Sequence, residues 1–176
     1  MSALTVPALA AAALLAVAGA GKVLDPAATV GAARALRLPA SPLAVRIGAA
    51  FELLLGILAI TVDSAALWVL VALSYLAFTA FVVAALRAGT MVGSCGCFGR
   101  EDTPPNRLHV VLNLVLAGSA IQVAVSDHGP WFDAASTSET WATALLATVA
   151  VYLLYAAFVV LPRTATALSS TPRREH

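Results

Sequence analysis

Long apolar segments dominate the pattern of hydrophobic and polar positions along this chain. Five of them approach the roughly 20 residues that a helix needs to cross about 30 Å of hydrocarbon. They cover residues 4–20, 43–62, 65–86, 108–125 and 141–161. None alternates like a barrel strand, and their abundant Ala and Leu favour helices. The pattern predicts an all-α fold, a polytopic transmembrane helical bundle with about five spans.

The composition fits a membrane protein, because 61% of the residues are hydrophobic and only 11% are charged, which is too apolar for a water-soluble domain. No repeat or long linker divides the chain, so we expect one helical domain over residues 1–168 and a flexible polar tail over 169–176. The first span could be a cleaved signal, but no basic residue precedes it, and we expect it to be retained. A net charge of +1 and the lack of a basic patch argue against nucleic acid as a partner.

Basic residues are distributed unequally between alternate connections. All ten Lys and Arg residues lie in or beside the segments after the first, third and fifth spans. By the positive-inside rule, the amino terminus lies outside the cell and the carboxyl terminus lies on the cytoplasmic side of the membrane. Trp68, Trp131 and Trp141 lie at or beyond the opposite boundary, where interfacial aromatic residues are common. We therefore expect a multi-pass plasma-membrane protein whose connection after the third span faces the cytoplasm.

A capping pair begins the segment after the first span. Asp25 suits a helix N-cap and Pro26 suits a first helical position, which predicts a short helix over residues 27–36. Its arginines would meet lipid headgroups while its apolar residues lie against the interface. The alternative is that this segment is only an amphipathic connector between the first two spans, with no further role.

The two cysteines of the chain lie one residue apart, in the sequence Gly93-Ser94-Cys95-Gly96-Cys97-Phe98-Gly99. The Cα atoms of a disulfide lie within about 7 Å of each other, and residues two apart meet this limit only if the chain turns, which glycines allow. Strained and exposed disulfides have the higher reduction potentials that redox-active pairs use. Cys95 and Cys97 are therefore candidate redox residues; half of a metal site and two unrelated buried thiols are the alternatives.

Glu52 is the one carboxylate inside a predicted span. It follows Arg46 by six residues, about 9 Å along a helix, and a charge at mid-span costs about 2.5–3.5 kcal/mol even on lenient scales. We expect it to have a partner. Gly48 and Gly56, one turn to either side, put it on a small-residue strip suited to close helix contact. It is either a neutral, hydrogen-bonded carboxylic acid or a proton acceptor for the thiols, which must lose a proton to react.

Three further polar residues lie near the same predicted membrane side. Lys22 ends the first span and could snorkel to the headgroups, pair with Glu52 or favour a cysteine thiolate. Asn113, inside the fourth span, is expected to bond another helix. His109 lies near the mouth of that span, but one His and two thiolates make three ligands, whereas structural zinc uses four. We predict no metal site, although a soft ion such as Cu(I) accepts fewer ligands.

Four pieces of the sequence together resemble the methylamine utilisation MauE family, within the broader group of DoxX-like membrane proteins. In chain order these pieces are Ala18-Gly19-Ala20-Gly21-Lys22-Val23-Leu24-Asp25-Pro26, Phe51-Glu52-Leu53 with Gly56, Cys95-Gly96-Cys97-Phe98-Gly99 and Asn113-Leu114-Val115-Leu116. The resemblance implies a DoxX-like four-helix core with one added helix. It also implies thiol and disulfide traffic that supports maturation of a methylamine dehydrogenase-type small subunit, together with a thioredoxin-like partner.

Two hypotheses follow. The first is a membrane thiol:disulfide oxidoreductase in which Cys95 and Cys97 cycle, Glu52 handles a proton, and electrons pass to a thioredoxin-like dithiol protein or a membrane quinone. The second is a non-catalytic assembly factor or soft-metal carrier that uses the same cysteines. Membrane lipid and a client protein with disulfides are the expected partners. Supporting roles are predicted for residues that share these motifs or this membrane side, namely Lys22, Asp25, Gly96, Phe98, Gly99, His109 and Asn113.

Overall fold

Six α-helices make up most of the part of the chain that the computed structural model describes, which is residues 5–62, 64–88, 104–126 and 137–169. In chain order they are α1 (Thr5–Leu24), α2 (Ala27–Ala35), α3 (Pro42–Thr61), α4 (Ala65–Ala88), α5 (Arg107–Val125) and α6 (Thr137–Ser169). Five of them, all except α2, are long and apolar enough to cross a membrane. The described residues contain no β-strand. The predicted all-α, polytopic bundle with about five spans is confirmed.

Two of the helices extend well beyond the apolar runs. Helix α1 continues to Leu24, four residues past the predicted end of its span, so Lys22 is helical. Helix α6 begins four residues before its apolar run and continues eight residues beyond it. Hydropathy marks only the part of a helix that needs hydrocarbon around it, whereas backbone hydrogen bonding can continue into polar sequence.

Helix α1 lies at the centre of the bundle. It packs most extensively against α3 and also contacts α4, α5 and α6. In its membrane-spanning window 61% of the residues are buried, against 11% in α6. Small residues make this central position possible, because α1 consists largely of Ala and Gly, which let neighbouring backbones approach closely. The larger side chains of the core come from all five long helices: Leu9, Leu14, Leu15, Leu55, Trp68, Val71, Tyr75, Leu116, Val123 and Phe158.

The contact between α1 and α3 depends on two glycines. A Cβ atom on Gly19 of α1 would lie 2.6 Å from the Ala49 carbonyl oxygen of α3. A Cβ atom on Gly56 of α3 would lie 2.8 Å from the Ala16 backbone nitrogen of α1. Since Gly19 faces the earlier part of α3 and Gly56 faces the middle of α1, the two helices run antiparallel.

The predicted small-residue strip is correct at Gly56 and wrong at Gly48. A Cβ atom on Gly48 would have nothing within 4 Å. Gly48 is exposed, whereas the adjacent Ala49 is buried and its carbonyl oxygen faces Gly19. The face of α3 that meets α1 therefore includes Ala49 and Gly56 and turns away from Gly48, which a spacing of four residues did not predict.

Helix α2 packs against the carboxyl-terminal end of α4. Pro26 occupies the N-cap position of α2, where Asp25 was predicted, and the helix begins at Ala27. The Asp25 carboxylate still accepts a hydrogen bond of 3.1 Å from the Ala27 backbone nitrogen. The helix ends at Ala35, one residue earlier than predicted, and Arg37 follows with a φ of 59°. Ala32 is buried in contact with Ala85 of α4. Part of the face expected at the lipid interface therefore contacts protein.

Candidate functional site

An ion pair joins α1 to α3 inside the bundle. Lys22 Nζ contacts Glu52 Oε2, and the two side chains are 5% and 16% exposed. Helical side chains point back toward the amino end of their own helix. Because α1 and α3 are antiparallel, the two side chains therefore lean toward each other. Glu52 has the partner that its depth requires, and the structure favours pairing over snorkelling as the role of Lys22.

An aromatic ring completes the surroundings of the ammonium group. Lys22 Nζ lies 4.7 Å from the centroid of the Phe78 ring of α4, within the distance of a cation–π interaction. Phe78 in turn meets Tyr75 edge to face, with 5.8 Å between ring centroids. Sequence reasoning missed Phe78, because an aromatic residue within an apolar span has no local signal that separates a core position from a lipid-facing one.

The ion pair is a carboxylate and an ammonium group largely shielded from solvent. Taking two charges out of water is expensive, and the pair is tolerated where the partners are close and further favourable contacts exist. Here α1 supplies the cation, α3 the anion and α4 the aromatic ring. Ionisable residues inside a membrane span mark functional sites by default. This arrangement holds a carboxylate at a defined depth inside the bundle.

Asn113 and His109 lie one helical turn apart on α5. Both are buried, with 2% and 1% of their surface exposed. The His109 backbone nitrogen donates a hydrogen bond of 3.2 Å to Asn106 Oδ1, which caps α5. The His109 ring meets Phe158 of α6 with 5.3 Å between centroids. The expected bond from Asn113 to another helix is absent at its amide nitrogen, since Nδ2 has no hydrogen-bond partner among the described residues.

Lys22 and Asn113 lie toward the side of the bundle where α1 and α4 end and α5 begins, whereas Glu52 and Phe78 lie close to the middle of their helices. Glu52 and Phe78 are each ten residues from that end of their helices, about 15 Å along the axis. Asn113 is six residues from the start of α5, about 9 Å. Lys22 approaches from the carboxyl end of α1. The structure thus brings Lys22 and Glu52 into contact near the middle of α3, and Asn113 lies somewhat nearer the end of the bundle.

The connection that carries the cysteines starts and ends at this side of the bundle. Helix α4 ends at Ala88 and α5 begins at Arg107, so residues 89–106 join them there. Cys95 and Cys97, together with Gly96, Phe98 and Gly99, lie outside the described residues. Their pairing stays a prediction. Within the residues that are described, no group of three or more His, Cys, Asp and Glu side chains could hold a metal ion.

Among comparisons with known proteins, a family model identifies the family to which this chain is related. The chain matches no curated protein and no solved structure. The family model described as Methylamine utilisation protein MauE matches residues 1–126. This region covers α1 to α5 and contains every candidate site residue, whereas α6 lies beyond it. The chain is therefore a multi-pass membrane protein that belongs to the MauE family of methylamine utilisation proteins.

Proposed function

We propose that this protein carries out thiol–disulfide exchange at the plasma membrane and so supports the maturation of a disulfide-containing client protein. Cys95 and Cys97 are the redox pair, and a methylamine dehydrogenase-type small subunit is the client class that the family membership suggests. The observation that carries the proposal is the buried contact between Lys22 and Glu52, which lies about 15 Å along the helix axis from the end of the bundle where the cysteine connection departs.

The electrons and protons of the exchange balance if the protein has two partners, a client dithiol and an electron acceptor. A client dithiol attacks the Cys95–Cys97 disulfide, and two electrons and two protons move to the cysteine pair as the client disulfide forms. The reduced pair then passes two electrons and two protons to the disulfide of a thioredoxin-like protein, or to a membrane quinone, which becomes a quinol. Run in the opposite direction, the same chemistry reduces or reshuffles client disulfides.

Glu52 accepts a proton in this scheme. A thiol attacks as the thiolate, so each exchange step needs a nearby group that takes up a proton. The Glu52 carboxylate lies at a solvent-shielded depth and is held there by the Lys22 ammonium. Lys22 is a positioning residue, because it acts through Glu52.

The test of the redox pair uses serine variants at each cysteine. We expect acid-trapped, alkylated parent protein to contain a fraction in which both thiols are blocked within one peptide and are released by reductant. Cys95→Ser and Cys97→Ser should each abolish this fraction and the client maturation while the protein still inserts. Ser94→Ala is the matched control in the same connection and should retain both.

Two outcomes would contradict the redox proposal. Full client maturation by both serine variants would reduce the protein to a scaffold that does not use its cysteines. Thiols that stay free under oxidising conditions, in purified protein that contains a stoichiometric soft metal, would replace exchange by metal carriage. A variant Glu52→Gln separates the proton role from the cysteines: we expect slower thiol exchange, most strongly at low pH, whereas Glu139→Gln on α6 should match the parent.

A further inference from the structure

A small cavity lies within the helix bundle, beside the ion pair. Its volume is about 20 Å³, and a cavity of about 10–15 Å³ is enough for one water molecule. Residues from α1, α4, α5 and α6 line it, and most of its surface is apolar. The lining residues are Leu14, Leu15, Ala18, Tyr75, Phe78, Asn113 and Phe158.

One polar group in the cavity wall needs a hydrogen-bond acceptor. Asn113 is 2% exposed, and its Nδ2 atom has no hydrogen-bond partner among the residues that the structure describes. Leaving such a donor unsatisfied costs about 1–3 kcal/mol. Tyr75 is also a lining residue. Its hydroxyl donates to the Ala11 carbonyl oxygen at 2.7 Å, and a phenolic oxygen can also accept.

We propose that this cavity is a binding site for one ordered water molecule, which accepts a hydrogen bond from Asn113 Nδ2. A buried water is retained where a cavity of sufficient size contains polar partners, whereas a wholly apolar cavity stays dry. Asn113 supplies the donor, and Tyr75, which lines the same cavity, carries a hydroxyl oxygen that can accept. The site is independent of the cysteine chemistry, since it depends only on residues of the helix bundle.

The position of this water connects two buried polar groups. Phe78 lines the cavity and also contacts the Lys22 ammonium. Phe158 lines the cavity and also contacts the His109 ring. The water thus lies one aromatic ring from the ion pair and one aromatic ring from the histidine. It supplies a hydrogen-bonding group between them, in a region where the lining is otherwise mostly apolar.

The chain offers a direct test, because Asn106 and Asn113 are its only asparagines. Selective ¹⁵N labelling of asparagine, with the protein in lipid nanodiscs, labels two side-chain NH2 groups, one in Asn106 and one in Asn113. We expect a nuclear Overhauser cross-peak from the Asn113 amide protons to water, of the sign that a long-lived bound water produces. Asn106, at the start of α5, serves as the accessible reference. Cross-peaks from Asn113 only to aromatic and aliphatic protons would overturn the proposal.

Cavity-filling variants test the location of the water. Ala18→Val and Phe158→Trp each add volume to the lining, and either should abolish the Asn113–water cross-peak while that of Asn106 persists. Gly118→Ala is the matched control, since it adds a methyl group on α5 where a Cβ would meet nothing within 4 Å. A water cross-peak that survives in a folded filling variant would show that water reaches Asn113 by another route, and the assignment to this cavity would be wrong.

Discussion

At the scale of single residues, the energetic problem of this chain is a charged pair inside a membrane span. Lys22 and Glu52 each carry a charge that hydrocarbon disfavours by several kcal/mol. Their contact removes most of that penalty, and the Phe78 ring adds a favourable interaction with the ammonium group. The pair is therefore coupled, because either partner alone is an unsatisfied buried charge.

A double-mutant cycle measures this coupling. Lys22→Met and Glu52→Leu should each lower the free energy of unfolding by about 3–5 kcal/mol, because each leaves an uncompensated buried charge. The double variant should be close to the parent, since two apolar side chains replace the pair. Unfolding from mixed micelles by denaturant gives the values.

The control for the cycle is Arg46→Met, which removes an exposed charge from the same helix, α3, and should change stability by less than about 0.5 kcal/mol. Single-variant effects that simply add in the double variant would show that Lys22 and Glu52 do not stabilise each other.

At the scale of helices, backbone proximity determines where the charged pair can form. A hydrophobic driving force is lacking between helices in lipid, so packing and small residues decide which helices associate. Gly19 meets α3 between Ala49 and Leu53, at the level of Glu52, and Gly56 brings the two backbones together one turn farther along α3. A wider separation of these helices would move the ammonium group away from the carboxylate.

Glycine-to-alanine substitutions test this contact. Gly19→Ala and Gly56→Ala should each lower the free energy of unfolding by about 1–3 kcal/mol, because the added methyl group meets backbone atoms that cannot rotate away. Gly48→Ala, on the same helix as Gly56, should leave stability unchanged or raise it by up to about 1 kcal/mol, since Ala is the better helix former. The unfolding assay of the cycle serves here too. Equal changes in the free energy of unfolding at all three positions would contradict the prediction, because they would show that the close backbone contacts of Gly19 and Gly56 do not determine the effect.

At the scale of the whole molecule, the family relationship and the bundle differ in extent. The MauE match covers residues 1–126 and ends just after α5, whereas α6 packs on α1 and contributes Phe158 to the core. The least buried long helix is thus the one outside the matched region. Its Phe158 still contacts His109 and lines the cavity beside Asn113, so α6 completes the surroundings of residues inside that region.

Orientation in the membrane is the prediction at this scale. A membrane-impermeant maleimide should label reduced Cys95 and Cys97 only in inside-out vesicles, because all ten basic residues fall on that predicted side. In a variant lacking both cysteines, Ser64→Cys, between α3 and α4, should be labelled only from the opposite side. Labelling of Cys95 and Cys97 in intact cells would reverse the orientation and favour direct contact with exported clients.

The number and the places of the long helices follow from the amino-acid sequence alone. Backbone N–H and C=O groups in lipid must form their hydrogen bonds within each spanning segment. An apolar run long enough to span the membrane therefore predicts a helix from local sequence. Family membership was also visible, because the motifs around Lys22, Glu52 and the cysteines are read in linear order. The hydrogen bond of Asp25 to the start of α2 was recognisable for the same reason, since it acts within two residues.

Which helices meet, and at what depth, became visible only in the folded bundle. Spacing of four residues puts Gly48, Glu52 and Gly56 on one face, but the close approach of α1 includes Gly56 and not Gly48. Likewise, no sequence pattern joins Phe78 to Lys22 or puts the Asn113 amide in a cavity wall. These contacts depend on the relative position of separate helices, and that position is set by packing summed over whole surfaces, which no local segment encodes.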